Sequence, residues 1–282
     1  MQLSKGKAKS RMAGKLFRFF VVIYCLNQVF IRFMENQDQN QWGRYTVLES
    51  NPAKPVAKTF MANVFLWMFA ALGISTFFAY LFASTPSLLQ YLINATGTGL
   101  SIFGWVVMLS PLAFVLLLSR GIERFSFPVL ISLYIVFASL MGMSLSFVLL
   151  VYTAGSVVGC FAAASVMFGI MAVMGYTTDK DLTGFGRIMT MGLIGIIVAS
   201  LINFFMKSSQ LEYIVSFVGV LVFTGLTAYD VQKLKRIGEG MEYDGAGMDS
   251  VRKRSILGAM SLYLDFINLF LMLLRLFGGR RN

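Results

Sequence analysis

The sequence predicts an all-α integral membrane protein with seven transmembrane helices, and three observations carry that prediction. Hydrophobic residues make up 57% of the chain and charged residues only 13%, too few to clothe a water-exposed globule of this size. The apolar residues come in repeated runs of about 20, the length a helix needs to cross the hydrocarbon of a bilayer and about twice what a membrane strand needs. The basic residues gather at the ends of those runs and form no single stripe interleaved with aromatics. The net charge of +11 therefore reads as membrane topology, with the lipid bilayer as partner, and nucleic acid is excluded.

The chain divides into a basic N-terminal extension (1–55), a transmembrane domain (56–278) and a short basic tail (279–282). Residues 1–18 carry Lys5, Lys7, Lys9, Arg11, Lys15 and Arg18, and an apolar stretch, 19–31, follows. That stretch is short for a span. No small-residue cleavage site follows it, and Tyr24 before Cys25 breaks a lipoprotein box. It reads as an interfacial amphipathic helix, or as sequence ahead of a true start at Met34. Residues 35–58, polar and rich in Gln and Asn, read as a disordered lead-in.

The spans are expected at 60–82, 101–119, 127–150, 156–174, 187–206, 211–232 and 256–277, with a long loop rich in Gly, Glu and Asp at 237–252. Lysine and arginine set their direction. Ten lie in the N-terminal segment, and the loops after the second, fourth and sixth spans carry Arg120 and Arg124, Lys180, and Lys233, Lys235, Arg236, Arg252, Lys253 and Arg254. The first and third loops have none, and the fifth has only Lys207. This asymmetry places the N-terminus in the cytoplasm and the C-terminus outside. Arg275, Arg280 and Arg281 pull mildly the other way. Gly155, Gly159 and Ala163 in the fourth span, and Gly192, Gly195 and Ala199 in the fifth, are spaced for close helix packing.

Two carboxylates interrupt the last two runs. Asp230 lies about one turn from the cytoplasmic end of the sixth span, and Asp265 lies nine residues into the seventh, about 14 Å at the helical rise. A charge inside a span costs roughly 2.5–3.5 kcal/mol even on a lenient scale, so such residues usually face a partner or a water-filled cavity. Antiparallel neighbours of this kind bring the two to similar depth. Two like charges at close range do not both ionise cheaply, so a pair that meets shares a proton and titrates as a unit. Deprotonated, it offers hard oxygen ligands suited to Ca²⁺. Thr227 lies one turn before Asp230, and Ser261 and Asn268 share the face of Asp265. Arg120, or failing it Arg124, is the candidate basic partner at the cytoplasmic level, the other reading being a plain positive-inside anchor. Asp179 and Asp181 read as a solvated loop and a helix cap.

The chain contains no histidine, which removes Ser/His/Asp triads, Cys/His dyads and His-based metal sites. Cys25 and Cys160 read as two buried free thiols. No cofactor is implied.

Thr227-Ala228-Tyr229-Asp230-Val231-Gln232, the helix from Ser261-Leu262-Tyr263-Leu264-Asp265-Phe266-Ile267-Asn268-Leu269-Phe270 to Leu273-Leu274-Arg275, and Gly175-Tyr176-Thr177-Thr178-Asp179-Lys180-Asp181-Leu182 are similar to segments of the Bax inhibitor-1 family, the transmembrane Bax inhibitor motif proteins, in its bacterial members. The resemblance covers roughly residues 55–278. It implies a bacterial plasma (inner) membrane protein whose last helix is central and wrapped by the other six. It also implies a pH-dependent Ca²⁺ leak, with Asp230 and Asp265 as pH sensor and an arginine of the second helix, Arg120 or Arg124, as latch. Bacterial relatives are linked to modulation of a membrane-bound protease, so a regulator of a membrane protease or stress response is the alternative. An intramembrane aspartyl protease needs Gly-x-Gly-Asp at its second aspartate. Leu262-Tyr263-Leu264 precedes Asp265 instead, with no glycine to admit a substrate backbone, so no enzyme is expected.

Overall fold

The structure, a computed structural model, describes residues 22–29, 56–94, 99–121, 124–243, 245 and 247–281. Among them α1 is residues 22–29. It is followed by α2 (Val56–Ser84), α3 (Pro86–Leu92), α4 (Ile102–Gly121), α5 (Phe127–Val151), α6 (Ala154–Thr177), α7 (Thr183–Met206), α8 (Ser209–Tyr243) and α9 (Met248–Phe277). Six of these, α2 and α5 to α9, are long and apolar enough to cross a membrane. In α4 the apolar stretch is shorter, Ile102–Leu118, and Pro111 sits inside it. The protein is a multi-pass integral membrane protein. Phe205, Met191 and Val158 on α7 and α6 are each exposed by about 70% (74, 70 and 69%), and in a bilayer such side chains meet lipid.

The innermost element is α9, with 94% of its most apolar window buried. It packs against α2, α5, α6 and α8, whereas α4 leans on α3 and α5, and α7 on α8. The ring of main neighbours around α9 is therefore smaller than the six expected. Polar ties fix the α2–α5–α9 contact. Ser75 donates to the Ala138 carbonyl at 2.8 Å, which spends its only proton, so the Tyr263 hydroxyl donates to Ser75 Oγ, also at 2.8 Å.

Several expectations are corrected. The apolar N-terminal stretch is not interfacial where it is described, because Val22, Ile23, Tyr24, Cys25, Asn27 and Gln28 are all buried inside the protein. Met34 and most of the polar lead-in lie outside the described residues, and its last residues, 56–58, open α2. The long loop at 237–252 is mostly helix, since α8 runs on to Tyr243 and α9 begins at Met248. Glu, Lys and Met are good helix formers, and Lys235–Glu239 (4.0 Å) and Lys253–Asp249 (3.1 Å) add i,i+4 pairs. The extension of α8 has a job at the other end of the chain: Glu242 Oε2 accepts from the Ala57 amide at 3.0 Å, satisfying an orphan donor at the start of α2.

The close-packing glycines are also not those expected. A Cβ at Gly155, Gly159 or Gly195 would meet nothing within 4 Å, so that spacing does not mark a helix contact. Of the expected glycines only Gly192 is crowded, by Val222. The tight crossings are at Gly142 against the Ser75 backbone, Gly175 against the Ala228 backbone, and Gly186 against the Tyr229 ring. The 279–281 segment is no loose tail. The Arg281 amide donates to the Val151 carbonyl at 2.8 Å, the Thr153 amide to the Gly279 carbonyl at 3.0 Å, and the Gly279 amide to Ser156 Oγ at 2.9 Å.

Candidate functional site

Asp230 on α8 and Asp265 on α9 are 2% and 0% exposed. Ser261 Oγ donates to Asp230 Oδ2 at 3.4 Å. Ser261 precedes Asp265 by four residues on the same helix face, one turn or about 6 Å along the axis. The two carboxylates thus sit on facing helices within about a turn of one another in depth.

The residues around Asp230 explain why α8 can hold it there. Ala228 is small where the backbone of α6 crosses at Gly175, and Tyr229 lies over Gly186 of α7. Gln232 ties down the α6–α7 connection: its Oε1 accepts from the Leu182 amide at 2.9 Å and its Nε2 donates to the Lys180 carbonyl at 2.7 Å. The three residues fasten α8 to α6 and α7, and the aspartate between them is placed by the fit.

The other expected site residues divide. Asn268 is fully buried one turn beyond Asp265, and the Cys25 thiol points to its Oδ1 at 4.0 Å. Thr227 is buried, but its hydroxyl proton goes to the Phe223 carbonyl of its own helix at 2.8 Å, so it does not serve the pair as a donor. Arg124 is exposed in the turn before α5, and among the described residues no contact joins it to either aspartate. Arg120 closes α4, and its side chain lies outside the described residues. Cys25 and Cys160 are free and buried, as expected.

Two groups were not singled out from the sequence. The first is Gln28 of α1, whose Nε2 donates to Asp265 Oδ1, with Tyr24 beside it donating to Ser144 Oγ of α5 at 3.0 Å. Asn27 and Gln28 break an apolar run just as the aspartates do, so the same signal was present. The second lies at the opposite end of α9. Glu212, at the start of α8, faces Arg275 at 3.6 Å and Arg280 at 3.3 Å, and the Arg275 side chain is only 3% exposed. Arg275 is therefore an ion-pair partner within the fold, not a membrane-face anchor.

Asp181 lies one residue ahead of Leu182, the N-cap of α7, and holds the first residue of that helix from there. Its Oδ1 accepts from the Thr183 hydroxyl at 2.6 Å and the Thr183 amide at 3.0 Å, and Arg236 approaches to 2.9 Å. The Thr183 hydrogen bonds first, and Arg236 after them, hold its carboxyl down at about 2. A lowered folded-state value means the contribution is complete above the ordinary carboxylate range and is lost only as pH falls through about 2. An NMR titration of Asp181 is expected to show a midpoint near 2 and no change between about pH 6 and 8, so Asp181 carries no response near neutrality.

The family described as "Inhibitor of apoptosis-promoting Bax1" matches residues 57–282. The chain is 45% identical over 224 residues to "Inner membrane protein YbhL" of Escherichia coli, a match covering 79% of this chain and 93% of that protein. It is 41% identical over 226 residues to a Rickettsia prowazekii protein, covering 80% and 91%. It is 34% identical over 224 residues to a membrane protein of Streptococcus pyogenes serotype M3, covering 78% and 92%. With α3 to α9, nearly all of α2, both buried aspartates and the fitted segment around Asp230 inside the matched region, the chain belongs to the Bax inhibitor-1 family.

Proposed function

We propose that the protein is a pH-sensitive Ca²⁺ leak of a bacterial plasma membrane, working by transport without catalysis. The observation that carries this reading is the pair of buried carboxylates on α8 and α9, with Ser261, on the Asp265 face of α9, donating to Asp230. Held in a low-dielectric interior, the pair exchanges a proton as a unit, and its deprotonated oxygens suit Ca²⁺ as the passing ion. In this reading α4 crosses as the second of seven spans, the N-terminus is cytoplasmic, and Arg120 at the end of α4 is the latch. The engagement of Arg275 and Arg280 with Glu212 supports the orientation, because these cations are held by the fold and no longer weigh against the loop bias.

The test is Ca²⁺ influx into proteoliposomes carrying the full chain, measured at a series of pH values on either side of neutrality. Influx in the parent is expected to change with pH, and Asp230→Asn and Asp265→Asn are each expected to abolish that dependence. Influx no greater than in empty liposomes at every pH would reject the reading.

A further inference from the structure

We propose that α1 is a releasable internal plug, occupying a groove between α5 and α9 and shutting Asp265 off from water until it leaves. Three side chains of α1 face that groove. Tyr24 and Gln28, one turn apart on the same face, reach Ser144 and Asp265, and Cys25 reaches Asn268. The Gln28 amide covers one oxygen of a carboxylate that any water or ion on the aspartate pair would need.

α1 lies outside the family match, although Ile23, Tyr24 and Cys25 pack into the core. The family match begins at residue 57, and the relatives described above align between 91% and 93% of their own length with about four-fifths of this chain. The groove is thus a feature of the matched domain, and its occupant comes from outside it. Between α1 and α2 lie 26 residues, 30–55, enough chain to span up to about 85 Å and let α1 move away with α2 in place.

The docking is also incomplete in its hydrogen bonds. Asn27 Oδ1, Asn27 Nδ2 and Gln28 Oε1 are buried and make none. Water would satisfy all three on release, so the polar part of α1 favours leaving while its buried apolar side chains favour staying. A permanently built-in segment would be expected to have its amides paired.

The experiment uses the full chain with Cys160→Ala, which leaves Cys25 as its one thiol. In proteoliposomes at about pH 8, above the ordinary carboxylate range, maleimide is expected to label Cys25 slowly. Gln28→Glu puts a second carboxylate against Asp265 and is expected to raise the labelling rate about tenfold or more, as for a clash of one pKa unit's worth of free energy. Adding Asp265→Asn removes the clash and is expected to return the rate to the parental one. Should Gln28→Glu not fold, Gln28→Leu, which deletes the donor without adding charge, takes its place. Labelling unchanged in a variant that melts like the parent would overturn the proposal, because α1 would be a fixed part of the core. Parental labelling as fast as in denatured protein would overturn it too, because α1 would not be docked. A second arm rests on the channel reading: Gln28→Glu is expected to raise Ca²⁺ influx. If neither protein conducts, the channel reading fails while the labelling still decides the plug.

Discussion

Glu212→Ala is expected to destabilise the folded protein by about 3–5 kcal/mol, the cost of removing one partner of a buried ion pair. The charge left behind is Arg275, 3% exposed and 3.6 Å from the Glu212 carboxylate. Arg280, at 3.3 Å, matters less, because its side chain is 61% exposed and water can take over from the glutamate. A thermal melt in detergent reads the loss. The double variant Glu212→Leu with Arg275→Leu distinguishes a charge effect from a packing effect. Removing both charges is expected to restore most of the stability lost by Glu212→Ala, since a buried ion pair replaced by apolar groups is often neutral. A double variant less stable than the single one would show that the pair holds the helices together by more than mutual compensation.

Gly175→Ala is expected to cost at least about 3 kcal/mol, the upper part of the range for overpacking, because the obstacle is backbone. The added Cβ would lie 2.2 Å from the Ala228 carbonyl oxygen and 2.9 Å from the Ala228 Cα, so α6 and α8 would have to separate along their crossing. Asp230 is two residues from that contact, and a shift of α8 would carry it away from Ser261. Gly159→Ala, on the same helix with nothing within 4 Å, is the control. There the exchange is expected to stabilise by up to about 1 kcal/mol, the ordinary gain of Gly→Ala in a helix. Equal effects at the two positions would mean that the crossing is not tight.

The spans were legible because a run of about 20 apolar residues has few other uses. The tight glycines were not, because a small-residue spacing says that a face is smooth and not which helix it meets. Gly155 and Gly159 have the spacing and no neighbour, whereas Gly175 and Gly186 lie near the ends of their helices and are fixed by what α8 presents to them. Asp230, Asp265 and Ser261 were found by one criterion, a polar group where burial is costly. The same criterion applied to Asn27, Gln28 and Glu212 would have pointed to α1 and to the far end of α9. They were passed over because the run holding α1 looked too short to be inside, and because Glu212 stood at the edge of its span. The loop at 237–252 was misread from its glycines, although Gly238 gives room for Phe60 and Ala57 of α2 where α8 continues.

The burial of α9 has a consequence for how the molecule is made. Among the described residues the most buried helix, α9, follows all the others in the chain, and its contact with α1 joins residues 243 positions apart. The earlier helices must therefore wait in the bilayer with inward faces that have nothing to close on. Nascent chains arrested before Met248 are expected to be open, unsettled assemblies, recognised by membrane quality control as a class. The arrival of α9 is therefore expected to be the step at which the earlier helices close, and a mutation along its length is expected to act on that step.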